Sequence, residues 1–361
     1  MFRIRLSELA MPTGSKDPDV LLAWLLDSMG LVRRKSEGMS VDDEQGALHR
    51  LIRETLLSEP LKGWDTKSLG AASGLSQTGM HHQLVKLRES GLVAAETEGR
   101  WHIHVLRGGS ISSAVNLVSV QARAILDLRL SEVAERVTES DGRMAIPSED
   151  GGGGFQIDIA EPGATVEGED RLDALMRDLG LNGERGKHSD RIARQLFEEI
   201  SSSGGATTLL ALADKTGDSR SRVHRAVERM RAAGIAERVP MLDRIAQDVY
   251  AGLMRQHDAR GEEWLMTRGG LGRLDESVSK SLIAGIRKKS LNIEKVQDIL
   301  APVPLDAQRV LLNTLGGRMP YGIRISGRDG AAVKERVMRQ ADRTLRRLRT
   351  VAQRLDESLA S

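Results

Sequence analysis

Two stretches of the chain set polar and cationic side chains at helical spacing against an apolar stripe. In the first, Gln77, Thr78, His81, His82 and Lys86 lie opposite Met80, Leu84 and Leu87, which recur at i, i+4 and i+7. In the second, Arg222, Arg225 and Arg229 fall at i, i+3 and i+7 on one stripe, and Arg220 leads into it. Amide, hydroxyl and imidazole groups donate and accept hydrogen bonds. A guanidinium makes paired bonds to a guanine edge or a phosphate and neutralises charge. No Ser/His/Asp order or paired-carboxylate signature stands out, so the chemistry offered is recognition rather than bond making.

The elements that must position these side chains recur. Leu69–Val93 overlays Leu212–Ala236 at an offset of 143 without a gap. Gly74 meets Gly217, Ser76 meets Ser219, Met80 meets Val223, Leu84 meets Val227, Leu87 meets Met230 and Gly91 meets Gly234. In each copy the spacing predicts a short helix and a tight bend at a glycine that tolerates positive φ. A serine then stands where it can cap a second helix, which another glycine ends. Two helices joined by so short a turn, the second with a polar outer face, form a helix-turn-helix.

Ser76–Val93, followed by Glu98-Gly-Arg-Trp-His-Ile-His-Val105, resembles the ArsR-type winged helix-turn-helix of prokaryotic transcription regulators, over about residues 64–106. The resemblance implies a second helix that enters the DNA major groove and a strand pair, the wing, that touches backbone or minor groove. It implies DNA contact by Ser76, Gln77, Thr78, His81, His82 and Lys86, with Arg100 at the wing tip where Glu98-Gly99 turns. Gly79 departs from the pattern, since glycine inside a helix costs about 1 kcal/mol against alanine. The family's cysteine metal ligands are missing, because the chain has no cysteine. At about 207–240 a degenerate second copy is more basic. After Gly234 no clear wing follows it, and Val239-Pro240-Met241 leads back into a helical pattern.

Composition sets the bounds. The chain has 361 residues, 40% hydrophobic, 29% charged and 2% aromatic. Cores of Leu, Ile, Val, Ala and Met favour helices over sandwiches. The lack of cysteine excludes disulfides, thiolate metal sites and a cysteine nucleophile. The 53 basic and 51 acidic residues nearly balance, so local charge must carry any inference about partners. No apolar run reaches the roughly 18 residues that a membrane helix needs. The glycine pairs, such as Gly269-Gly270, lack phosphate-loop spacing and context. His81, His82, His102 and His104 come without carboxylates at ligand spacing and are read as facing nucleic acid or solvent. Trp64 and Trp101 are read as packing residues.

The chain divides by pattern into an N-terminal winged helix-turn-helix domain at 1–140, an acidic, glycine-rich linker at 141–170, a second helix-turn-helix domain at 171–255 and a helical region at 256–361. Phe155–Ile159 alternates as a short strand or hairpin would, inside the linker. Val337, Ala341, Leu345, Leu348, Ala352, Leu355 and Leu359 trace a near-heptad seam suited to a coiled coil between two chains. From Gln308 to Arg354, 12 basic residues face three acids, on either a nucleic-acid-facing helix or the solvated side of that coil.

The expected fold is mainly α with small β wings: tandem winged helix-turn-helix modules plus a C-terminal helical region. The expected protein is no enzyme, has no cofactor or bound metal, and works in the cytoplasm at the nucleoid as a transcriptional regulator. Its partners would be double-stranded DNA and, through the C-terminal helix, a second copy, with no membrane. Bases would be read by Gln77, Thr78, His81 and His82 in one module and by Arg222 and Arg225 in the other; Lys86, Arg100, Arg220 and Arg229 would mainly neutralise phosphate. The flexible linker would tether the second module at raised local concentration. A rival keeps the fold but makes it a protein-interaction adaptor in a chromosome-organising or transcription-initiation assembly. RNA binding is disfavoured by the scarcity of aromatics for stacking.

Overall fold

The computed structural model describes residues 1–32, 46–98, 101–145, 148, 154–164, 167–168, 170–183 and 191–361. In order, the elements are β1 (Arg3–Ser7), α1 (Pro18–Ser28), α2 (Ala47–Leu51, continued by a π turn to Leu56), β2 (Trp64–Asp65), α3 (Thr66–Ser73), α4 (Gln77–Glu89), β3 (Val93–Glu98), β4 (Trp101–Leu106) and α5 (Ile111–Ala134). Then follow β5 (Gln156–Ala160), α6 (Arg171–Asp178), α7 (Ile192–Ser202), α8 (Leu209–Thr216), α9 (Arg220–Ala232), β6 (Ala236–Pro240), α10 (Leu242–Thr267), α11 (Glu276–Arg287), α12 (Ile293–Leu300), α13 (Leu305–Thr314), β7 (Tyr321–Ile325) and α14 (Gly330–Leu359). The fold is mainly helical with small antiparallel sheets. No helix among the described residues is long and apolar enough to cross a membrane.

Local chemistry places the paired helices twice over. Asp65 caps α3 by accepting from the Lys67 and Ser68 amides, both at 2.9 Å, and Thr208 caps α8 by accepting from the Ala211 amide at 3.2 Å. Gly74 and Gly217 then turn the chain with the same left-handed geometry, φ 68° and ψ 18°. Met80, Leu84 and Leu87 in α4, and Val223, Val227 and Met230 in α9, are buried beneath.

The repetition runs well beyond these helices. In the first unit β4 lies between β2 and β3, with Trp64 opposite His104 and His104 opposite Ala95. In the second, Thr207 bridges to Ile323, and Ile323 faces Arg238. The offset of 143 thus holds for Trp64 and Thr207 and for Ala95 and Arg238, but becomes 219 between His104 and Ile323. The strand missing after Gly234 is therefore present as β7, and 76 additional residues stand between the two strands. Phe2-Arg-Ile-Arg-Leu-Ser-Glu8 likewise overlays Phe155-Gln-Ile-Asp-Ile-Ala-Glu161, and Leu22, Leu25, Gly30 and Leu31 overlay Leu172, Leu175, Gly180 and Leu181.

The two units meet as a pseudo-twofold pair. β1 and β5 run antiparallel with Ile4 opposite Ile159, Arg5 opposite Asp158 and Leu6 opposite Ile157, so each strand pairs with its own repeat about Arg5 and Asp158. Arg5 Nε donates to the Asp158 carboxylate at 2.6 Å. α5 and α14 also pack antiparallel. The Asp356 carboxylate accepts from the Ser112 amide at 3.0 Å, Arg123 pairs with Asp342 at 3.0 Å, and Lys334 reaches Asp127 at 2.9 Å. Arg123 and Asp342 are again equivalent positions, at the offset of 219. One hydrophobic core joins both units, from Leu6 and Val118 to Val227 and Leu345.

Several expectations change. The seam of α14 is buried, but against α5 and α1 of the same chain, so it is not left open for a second copy. In the segment between the units, β5 pairs with β1, and Arg143, the single basic residue there, is buried at 1% exposure. Its guanidinium donates to the carbonyls of Ser201 at 2.7 Å, Ser203 at 2.8 Å and Arg328 at 3.2 Å, which ties the described part of this segment to the second unit. β7 and α14 belong to the second unit rather than to a separate C-terminal region. Residues 241–320 instead form a helical body with its own core, from Ile245 and Val249 to Leu312 and Leu315.

Two substitutions test this packing by urea denaturation. A Cβ on Gly180, at φ 74°, would stand 2.6 Å from Asp158 Cγ, so Gly180→Ala should cost about 1–3 kcal/mol. Glu237 is buried at 2% between Arg324, at 2.7 Å, and Arg336, at 2.6 Å. Glu237→Ala strands the buried Arg324 charge and should cost about 3–5 kcal/mol. A stability unchanged in either variant would contradict the packing described.

Candidate nucleic-acid interface

α4 presents the expected ridge. Gln77, Thr78, His81, His82 and Lys86 are exposed, above Met80, Leu84 and Leu87. Ser76 is also exposed, but its hydroxyl accepts from the Gly79 amide at 3.2 Å and so serves the helix first. The His81 and His82 rings stand edge to face at 6.3 Å between centroids, side by side on the ridge. Arg100 lies outside the described residues.

The strand pair leans toward the front of this helix. His102 on β4 shares with Gln77, Lys67, Thr66 and Leu75 a cleft of about 750 Å³. Lys67 and His102 were not among the contacts expected from the sequence. Lys67 is brought there by the cap at Asp65, and His102 by alternation on β4. His104, expected on an exposed strand face with His102, is instead 3% exposed: the two lie on one face of β4, and α3 covers that face at His104, where Thr66 Oγ1 stands 3.5 Å from the ring Nε2. Burial, with Arg88 and His102 nearby, holds its pKa below the ordinary histidine value.

α9 offers a different chemistry. Arg220, Arg222 and Arg225 are exposed. Arg222 pairs with Asp218 one turn back, and Arg225 Nε donates to the Ser221 carbonyl at 3.3 Å. The expected single stripe divides here: Arg229 is half-buried and donates from Nε to the Leu181 carbonyl at 2.6 Å. Its guanidinium lies over Gly183, where a Cβ would stand 3.1 Å away. Arg229 therefore holds its own unit together, while Lys86, its counterpart at the offset of 143, is exposed.

The two faces are equivalent in place and unlike in kind. Leu210, 61% exposed, stands where the first unit has Lys67, and Tyr321 where it has His102. Ser221 and His224 are exposed where the first unit has Thr78 and His81, so a hydroxyl and an imidazole are common to both faces; the first adds an amide, a second imidazole and lysines, and the other adds guanidinium groups. Comparison with protein-family models, with curated proteins and with solved structures gave no match.

Ser76→Ala should remove the cap and cost about 1 kcal/mol. Amide exchange at Thr78, Gly79 and Met80 should quicken while that of α9 stays unchanged. Equal protection in both proteins would show that the cap contributes nothing to holding the ridge.

Proposed function

We propose that the chain binds double-stranded DNA as a transcriptional regulator, with both units acting as winged helix-turn-helix modules of one rigid, single-chain counterpart of a dimer. The observation that carries this reading is the pair of exposed polar ridges, Gln77–Lys86 and Arg220–Arg225, set on equivalent elements about one pseudo-twofold axis. Resemblance of residues 64–106 to ArsR-type modules supports it. So does the order of helices and strands in each unit, with the returning strand at the centre of the sheet.

A shared core and the β1–β5 pairing leave no role for a loose tether between modules. A duplex that meets both ridges meets them in opposite directions, so its site is two inverted half-sites. Because the ridges differ, the half-sites differ in sequence. Arg222 and Arg225 suit guanine edges or phosphates, and Gln77 suits adenine. His81, His82 and Thr78 fill the remaining ridge.

The adaptor reading draws on one observation, the exposure of Leu117 at 40%, Val120 at 62% and Leu128 at 51% on α5. It predicts no shift of short duplexes at physiological salt, whereas the regulator reading requires one.

Arg222→Ala with Arg225→Ala should weaken duplex binding and flatten the dependence of log K on log salt by about 2. A salt titration by fluorescence anisotropy checks it, and an unaltered slope would remove α9 from the interface. Sedimentation should find one chain per duplex. Inserting about 5 base pairs between the half-sites should abolish simultaneous engagement, because it turns one half-site to the far side of the helix.

A further inference from the structure

Where only two residues of sequence separate the paired Glu98 and Trp101 in the first unit, the second carries the helical body of residues 241–320. The ladder continues from Pro240 and Tyr321 to a bond from the Met241 amide to the Pro320 carbonyl at 3.0 Å, and the body begins there. In the first unit the corresponding end of the ladder holds His102, which shares a cleft with Gln77 at the front of α4. Tyr321 and Arg220 occupy those positions in the second unit, so the root of the body stands beside the front of α9. The root is firmly placed: the Arg238 guanidinium lies 4.1 Å from the Tyr321 ring centroid, and Gly322 packs against Ala206 and Met241.

Charge is distributed unevenly over this body. Many of its cations are tied down within it. Lys280 pairs with Glu276 at 2.6 Å, Arg287 Nε with Glu262 at 2.7 Å, and Lys295 donates to the Ser290 carbonyl at 2.7 Å. Arg255 donates to the Leu315 carbonyl at 2.9 Å, and Arg260 lies over Trp264. At the root, Arg244 in the first turn of α10 and Arg318 just before β7 are both exposed, and neither has an ion-pair or side-chain hydrogen-bond partner among the described residues. Asp248, one turn beyond Arg244, makes no ion pair with it. Arg268, Arg273, Lys288 and Lys289 are also exposed, but they lie beyond the break in α10 at Gly261 (φ 77°).

We infer that Arg244 and Arg318, at the root of this arm, form a second phosphate-binding surface that grips the backbone of the duplex beside the α9 half-site. The inference rests on the DNA-binding reading. It makes the bound site lopsided: protein covers more backbone on the α9 side than on the α4 side. A guanidinium with no intramolecular partner loses little on meeting a phosphate and releases a counterion on doing so.

The test uses the full chain and a labelled duplex recovered by selection from a random library, followed by anisotropy across a salt titration and by hydroxyl-radical footprinting. Arg244→Glu with Arg318→Glu should weaken binding about tenfold or more at low salt and lower the salt slope by about 2. The footprint should lose protection on the backbone outside the α9 half-site and keep it at both half-sites. Arg244→Lys with Arg318→Lys should keep the wild-type slope, since a phosphate takes either cation. Unchanged slope and footprint in the glutamate variant would overturn the arm's role and leave the DNA-binding reading standing. A wild-type chain that recovers no duplex at all would overturn both.

Discussion

The antiparallel packing of α5 on α14, closed at the other end by the β1–β5 ribbon, fixes where every exposed group in the two units stands. Each contact joins an element to its own repeat, and the apolar residues beneath both units belong to one core. The two ridges are therefore held at a set distance and angle, and their joint geometry changes only if that core opens. Binding that needs both ridges then carries little of the ordering entropy that two modules on a loose linker would lose.

Within this symmetry the two units have diverged in chemistry. Ala94, Val105 and Leu117 in the first unit correspond to Glu237, Arg324 and Arg336 in the second, so apolar positions in one hold an ion network around a buried glutamate in the other. On α5, Leu117, Val120, Ala124 and Leu128 face solvent, while the same positions of α14 hold Arg336, Arg339, Arg343 and Arg347. Arg343 and Arg347 are anchored by Glu8, at 2.8 Å and 2.7 Å. Equivalent backbone with unlike side chains lets the two units present different surfaces.

Features set by local constraints are the ones that can be read from the sequence. The Leu69–Val93 and Leu212–Ala236 repeat was legible because caps, left-handed glycines and buried positions within two helices tolerate no insertion. The short strand at 155–159 showed in its alternation. The partner of β6 was hidden because 80 residues intervene before Tyr321, and sheet pairing leaves no trace in spacing across such a gap. The likeness of Phe2–Glu8 to Phe155–Glu161 is masked because the offset drifts from 153 there to 143 in the paired helices. The near-heptad on α14 correctly marked a buried face, but periodicity says that a face is covered and not by what. Arg229 looked like part of an exposed stripe because nothing in its own helix reveals Leu181 and Gly183, which engage it from another element. His104 differs from His102, on the same face of β4, because α3 covers only one end of that face, and alternation does not show how far a neighbouring element reaches.

Arg5 against Asp158 and Arg123 against Asp342 sit where each half of the molecule touches its own likeness. Between two identical chains such places confront a residue with itself, so arginine would oppose arginine and aspartate would oppose aspartate. Joining the halves covalently frees those two points from self-complementarity and lets attraction replace repulsion. First halves borrowed from separate molecules are thereby poor mates for one another, and the fold recognises its own second half by electrical sign as well as by shape.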